Sequence, residues 1–143
     1  MAGSFTPRAI FIDIDHSLLN QIQSGSMSKL YNTEQFVDDK VLQNGLYGSI
    51  FQFLDDEQIT GLMDAISKEL EMCDQFQGFV FNYSASGGTA TSIMAKLEGQ
   101  IHSMKRPAYS NLILPSAEKM HLSCTPYNFL FSLSNTVDNR NGN

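Results

Sequence analysis

A β-rich apolar segment, Gly78–Tyr83 (GFVFNY), runs without a break into the small residues Ser84–Ser92 (SASGGTATS). Directly afterwards Ile93, Met94, Leu97, Ile101 and Met104 recur at the spacing of one helix face. That order predicts a strand, a tight small-residue loop and a helix. So apolar a strand is expected inside a parallel sheet. A second one, Ala9–Ile14 (AIFIDI), precedes Leu18, Leu19 and Ile22 at helical spacing, and Gly25 is placed to end that helix. Strands alternating with helices predict an α/β class with a mostly parallel sheet.

The rest of the chain fits this scheme in part. Gln35–Gly48 has no sustained period and reads as loop. Asp55 followed by Gln58 has the form of a capping box, and Ile59, Leu62, Met63, Ile66 and Leu70 then form one apolar stripe. Gly61 weakens that helix by about 1 kcal/mol. Ser110–Leu114 is a short strand closed by Pro115, and Thr125-Pro126 opens a helix to about Leu133. At 143 residues the chain accommodates one domain. Its expected extent is 1–134, with the polar residues 135–143 as a disordered tail.

Composition narrows the function classes. The net charge is -6 with no Lys/Arg cluster, which argues against capture of nucleic acid or an anionic membrane. No apolar run approaches the roughly 18 residues that cross a bilayer, and Met1–Thr6 lacks the pattern of a signal peptide. Cys73 and Cys124 share no metal or redox spacing and read as buried thiols of a reducing cytosol. Only 17% of residues are charged, while Phe (10) and Met (7) are numerous, as in a chain covered on several faces by a partner.

Chemistry concentrates in the turn Ser86-Gly87-Gly88-Thr89. A helix start offers unpaired N–H groups and partial positive charge; glycines before it let backbone close on phosphate oxygens, and Thr89 adds a hydroxyl. The spacing is neither a Walker A loop nor G-x-G-x-x-G, so a turn that binds nothing explains it equally well. Asp13 and Asp15 end the first strand, where Asp15 serves as a helix cap or one of the pair faces a phosphate-bound Mg²⁺. His16, His102 and His121 share no ligand spacing, and no nucleophile–base set is visible.

Three segments together resemble the tubulin family. Pro7-Arg8-Ala9 with Phe11-Ile12-Asp13-Ile14-Asp15 is similar to the family's PRAVFVDLEP strand. Gln77-Gly78-Phe79 through Ser92 is similar, without a gap, to its strand and GGGTGSG phosphate loop, and Pro126-Tyr127-Asn128 matches a PYN beside the nucleotide sugar. The resemblance runs from about Pro7 to Asn139. It implies a GTP-binding cytoskeletal family of the cytoplasm whose subunits polymerise head to tail into microtubules, with tubulin or tubulin-like subunits as partners. Carried over, Gly87, Gly88, Thr89 and Ala90 lie at the phosphates, Asp13 and Asp15 near Mg²⁺, and Asn44 or Gly45 in the loop facing the γ-phosphate.

Departures fall on the same ligand. Ser86, Ala90, Thr91 and Ser92 replace G, G, S and G of the family loop, and a β-carbon at Ala90 or Ser92 is expected to hinder close backbone approach or any positive φ the loop requires. Asp15-His16 stands for Glu-Pro, and Thr125 for the acidic residue before PYN. Nothing matches the family's first strand with its GQCGNQ loop, its central helix or its acidic catalytic loop. The resemblance therefore implies an incomplete doubly wound domain in which Ala9–Ile14 and Gly78–Tyr83 lack the strand between them. Those edges pair directly, take a strand from another chain, or leave the segment unable to fold alone. The expectation is a tubulin-like GTP-binding subunit lacking its first strand and catalytic half, binding GTP·Mg²⁺ weakly or not at all and inactive as a GTPase alone. The alternative is a degenerate interaction protein that docks on tubulin or another cytoskeletal partner without nucleotide. An unrelated small α/β enzyme is the third class.

Overall fold

The computed structural model describes residues 6–38, 56–118, 120 and 124–141. Its strands are β1 (Phe11–Asp13), β2 (Phe36–Asp38), β3 (Phe79–Ser84) and β4 (Ala108–Ile113). The helices are α1 (His16–Ser24), α2 (Asp56–Glu71), α3 (Gly88–Ser103) and α4 (Thr125–Asn141), with single 3-10 turns at Ser28–Leu30 and Thr33–Gln35. Each strand pair is parallel and joined through a helix, giving an α/β architecture. Phe11 faces Phe36 across the first pair, and Phe79 faces Ala108 across the second. Among the described residues β1 and β3 do not pair with each other; the strands form two separate two-stranded sheets.

One shared core holds the two sheets together. Ile59 and Leu62 of α2 meet Ile93 of α3 above Ile12, Ile14 and Val37 of the first sheet. Ile66, Met94, Leu97 and Ile101 continue it above Phe79, Phe81, Tyr83 and Leu112 of the second. Ile12 and Met63 touch both groups. The apolar stripe from Ile59 to Leu70 thus does what its spacing predicts, against both sheets at once.

β3 is not the fully buried strand its composition predicts. Phe79, Phe81 and Tyr83 turn toward the helices, while Val80 and Asn82 point the other way and are exposed. On β4 the same outer face shows Tyr109 at 67% and Ile113 at 65% exposure. An apolar strand implies two covered faces, and here the helices that describe the core lie on one.

β2 falls inside the expected loop. Three residues are too few for a period, and their strand state comes from the neighbours: the Phe36 ring stacks on Phe11 at 4.9 Å and 12°, with Tyr31 edge-on to Phe11 at 4.9 Å. Gln35 is fully buried; its amide donates to the Pro7 carbonyl at 2.9 Å and accepts from the Asn32 N–H at 2.9 Å. That side chain ties the approach to β1 onto the approach to β2. Asp55, the capping residue expected before α2, lies outside the described residues.

α4 departs furthest from expectation. It runs to Asn141, past the end set near Leu133, so residues from Asn135 continue a helix rather than a disordered tail. Its buried stripe is polar: Asn128, Ser132 and Thr136, spaced four apart, are 4%, 3% and 8% exposed. Tyr127, Leu130, Phe131 and Val137 face outward instead. The helix is amphipathic with its faces exchanged, which a search for an inward apolar stripe does not find.

Candidate functional site

The turn between β3 and α3 sits at the carboxyl edge of a parallel pair, where the strand ends and the helix begins. Ala85, with no exposed surface, donates its N–H to the Ile113 carbonyl at 3.0 Å, fastening the turn's entry to the end of β4. Ser84 and Ser86 hydroxyls meet at 3.2 Å across the entry. Gly87 is the N-cap of α3, in ordinary extended backbone at φ -82° and ψ 136°, and no side chain caps the helix. No acidic residue occupies its first turn. The N–H groups of that first turn therefore keep the donor capacity that an N-cap side chain ordinarily takes up.

The helix begins earlier than the run of small residues suggests. Gly88, Thr89, Ala90, Thr91 and Ser92 are all helical. Thr91 donates its hydroxyl to the Gly87 carbonyl at 2.5 Å, and Ser92 donates to the Gly88 carbonyl at 2.6 Å. Both are buried and point back along their own helix. The only described residues with positive φ are Gly78 and Lys105, so the turn asks for no glycine-only conformation. The β-carbons of Ala90 and Ser92 thus cost the backbone nothing. A β-carbon placed on Gly87 meets no atom within 4 Å. Neither backbone conformation nor packing demands glycine there, which leaves room for an external group close to the backbone.

At the end of β1 the two aspartates build a turn of their own. Asp15 is the N-cap of α1; its Oδ1 accepts from the Ser17 N–H at 2.8 Å and the Ser17 hydroxyl at 2.7 Å. The Ser17 hydroxyl, then the Ser17 amide, hold the Asp15 carboxyl below its usual 3.8. Asp13 Oδ1 accepts from the Asp15 N–H at 3.2 Å. The capping role expected of Asp15 is the one it fills. Each carboxylate commits its Oδ1 to the chain, Asp15 being exposed and Asp13 half-buried. Among the described residues no group of three or more His, Cys, Asp or Glu is arranged to hold a metal ion. A cation at Asp13 and Asp15 fits only if water or phosphate oxygens complete its shell, which is how Mg²⁺ is commonly held.

The two halves approach through Ile14, which lies between the aspartates and packs on the cluster of Ile59, Leu62 and Ile93, the last of these one turn into α3. A cavity of about 390 Å³ opens beside Asp13 but is lined by Phe11, Ile12, Leu18, Leu19, Gln21 and Ile22 of β1 and α1, away from the glycine turn. Asn44 and Gly45, expected opposite the γ-phosphate, lie outside the described residues. Asn128 makes a contact that spacing does not reveal: its Nδ2 donates to the Ser86 carbonyl at 3.2 Å. Tyr83, whose hydroxyl lies 3.2 Å from Glu98 Oε1 and 3.3 Å from the Thr136 hydroxyl, anchors α4 further along.

Comparison with known proteins places this geometry in context. The model of the Tubulin/FtsZ family GTPase domain matches residues 1–143. The chain is 25% identical to a Tubulin alpha chain of Eremothecium gossypii over 96% of its own length and 31% of the relative's. It is 27% identical to a Tubulin beta-6 chain of Ectocarpus variabilis (96% and 31%) and 27% identical to a Tubulin alpha-4 chain of Drosophila melanogaster (95% and 30%). The chain thus spans less than a third of the length of these curated relatives.

Proposed function

The chain belongs to the Tubulin/FtsZ family, and from that premise we propose that it is a tubulin-like cytoskeletal protein whose start of α3 is a seat for the phosphates of GTP. The observation that carries this reading is a helix N-terminus at the carboxyl edge of a parallel sheet, begun by a glycine and capped by no side chain. Such a terminus presents oriented N–H donors and the positive end of the helix dipole to an anion. Gly87, Gly88, Thr89 and Ala90 supply the donors in this reading. In the same reading Asp13 and Asp15 would lie near Mg²⁺, which when bound would shield phosphate charge, and Asn44 or Gly45 would face the terminal phosphate. The partners are tubulin or tubulin-like subunits of the cytoplasmic cytoskeleton.

Among the described residues the walls around this seat are few, and the strands form two separate pairs. Thermal-shift titration with GTP and Mg²⁺ tests the seat. Weak stabilisation that develops only toward millimolar nucleotide is expected; saturation at micromolar concentration corresponds to roughly 8 kcal/mol of binding and contradicts so incomplete a pocket.

A second reading, docking on tubulin or another cytoskeletal partner without nucleotide, draws on a different observation. The outward residues of α4, Tyr127 at 64% and Leu130 at 63% exposure, and the open face of β3 and β4 leave apolar surface for a partner to cover. Co-sedimentation with assembled microtubules, with and without GTP, separates the two. Sedimentation that needs GTP supports the first reading, sedimentation indifferent to GTP the second, and none with either nucleotide state contradicts both.

A further inference from the structure

Asn128 lies in the buried polar stripe of α4, 4% exposed, and reaches out of its own helix to a backbone carbonyl of the glycine turn. The carbonyl is that of Ser86, the residue before the N-cap Gly87. A peptide group is planar and trans, so its C=O and N–H point in opposite directions. Holding the Ser86 carbonyl toward α4 therefore aims the Gly87 N–H away from α4, to the side where the turn is open. The Asn128 amide is itself buried, so leaving it without this acceptor costs more than losing an exposed bond.

We propose that Asn128 is a positioning residue of the turn: it sets the Ser86–Gly87 peptide so that the Gly87 N–H joins the first-turn donors of α3. The inference rests on the phosphate-seat reading for what the turn receives, but its mechanical part stands in the free protein. Ser132 and Thr136 continue the same inward stripe, so α4 has buried contacts besides the one Asn128 makes to the turn. Thr136, about two turns further along α4, meets the Tyr83 hydroxyl rather than the turn and provides an internal control.

The test compares Asn128→Asp, which keeps size but loses the donor, with Thr136→Val, which loosens α4 without touching the turn. Amide hydrogen exchange is followed at Ala85 and Thr91, whose N–H groups bond to Ile113 and Gly87 and bracket the turn. Asn128→Asp is expected to speed both by several-fold more than Thr136→Val does, with β1 and β2 unchanged. Equal effects of the two variants, or none at Ala85 and Thr91, overturn the proposal. Should the aspartate variant not fold, Asn128→Ser makes the same comparison, its hydroxyl being too short to span the gap. Thermal-shift titration with GTP and Mg²⁺ on the same proteins supplies the second readout. A loosened turn with a several-fold weaker response supports both parts. A loosened turn in a chain whose parent never responds to GTP keeps the role of Asn128 and removes the phosphate.

Discussion

Two glycines do opposite things. Gly78 sits at φ 155°, and a β-carbon there lies 2.7 Å from the Pro107 carbonyl oxygen, the acceptor of the Phe79 N–H. Gly78→Ala is expected to destabilise the chain by about 1–3 kcal/mol in urea unfolding, through strain and a disturbed entry to β3. Gly87 has ordinary dihedrals and open space, so the gain of about 0.4–1 kcal/mol that Gly87→Ala draws from the unfolded state is opposed only by alanine's poorer fit at an N-cap, and little net change in stability is expected. In GTP titration the same change should weaken the response; an unchanged response would mean that the space beside Gly87 serves no ligand. Asp15 gives a pH signature. Its folded carboxyl titrates below 3.8, the unfolded one near it, so its stabilisation is present above that value and fades as pH falls through the folded pKa. Asp15→Ala should lower the melting temperature at neutral pH, and the gap to the parent should close in strong acid. A gap that persists at the lowest pH would assign the loss to something other than the charged cap.

Among elements, α3 carries the core and α4 covers it with its polar side. Leu97 is 1% exposed between α2 and β3, so Leu97→Ala is expected to cost about 2–5 kcal/mol in chemical denaturation. Leu130→Ala, at an outward position of α4, is expected to change stability by no more than about 0.5 kcal/mol. A loss at Leu130 comparable to that at Leu97 would show that its face is covered within the chain. The exchange of faces in α4 explains why its end and role escaped prediction. Its inward groups, Asn128 and Thr136, are held by hydrogen bonds to Ser86 and Tyr83, and hydrogen bonding leaves no trace in an apolar period.

For the molecule as a whole the open question of the two strand pairs becomes one of cooperativity. Backbone hydrogen bonds do not join the pairs among the described residues; side chains do, chiefly Ile12 and Met63. Ile12→Ala removes contacts to both clusters at once. It is expected to cost about 2 kcal/mol and to separate the exchange of β1 amides from that of β3 amides. If both pairs still open together in that variant, the sheets are tied by more than this core.

The sequence by itself determined the alternation of strand and helix, the α2 stripe, the strand-turn-helix around Gly87 and Gly88, and the family. Each is local: period, small residues and their order are all written along the chain. Only the tertiary structure decided that β2 is a strand, that α4 faces inward with its polar side, that Thr91 and Ser92 turn back on their helix, and that Asn128 holds Ser86. Those four depend on partners distant in sequence or on hydrogen-bond geometry, and a linear pattern records neither. Gly87 lies at the boundary between the two. Its glycine is visible in the sequence, but that nothing in the chain requires it became visible only once its surroundings were in place.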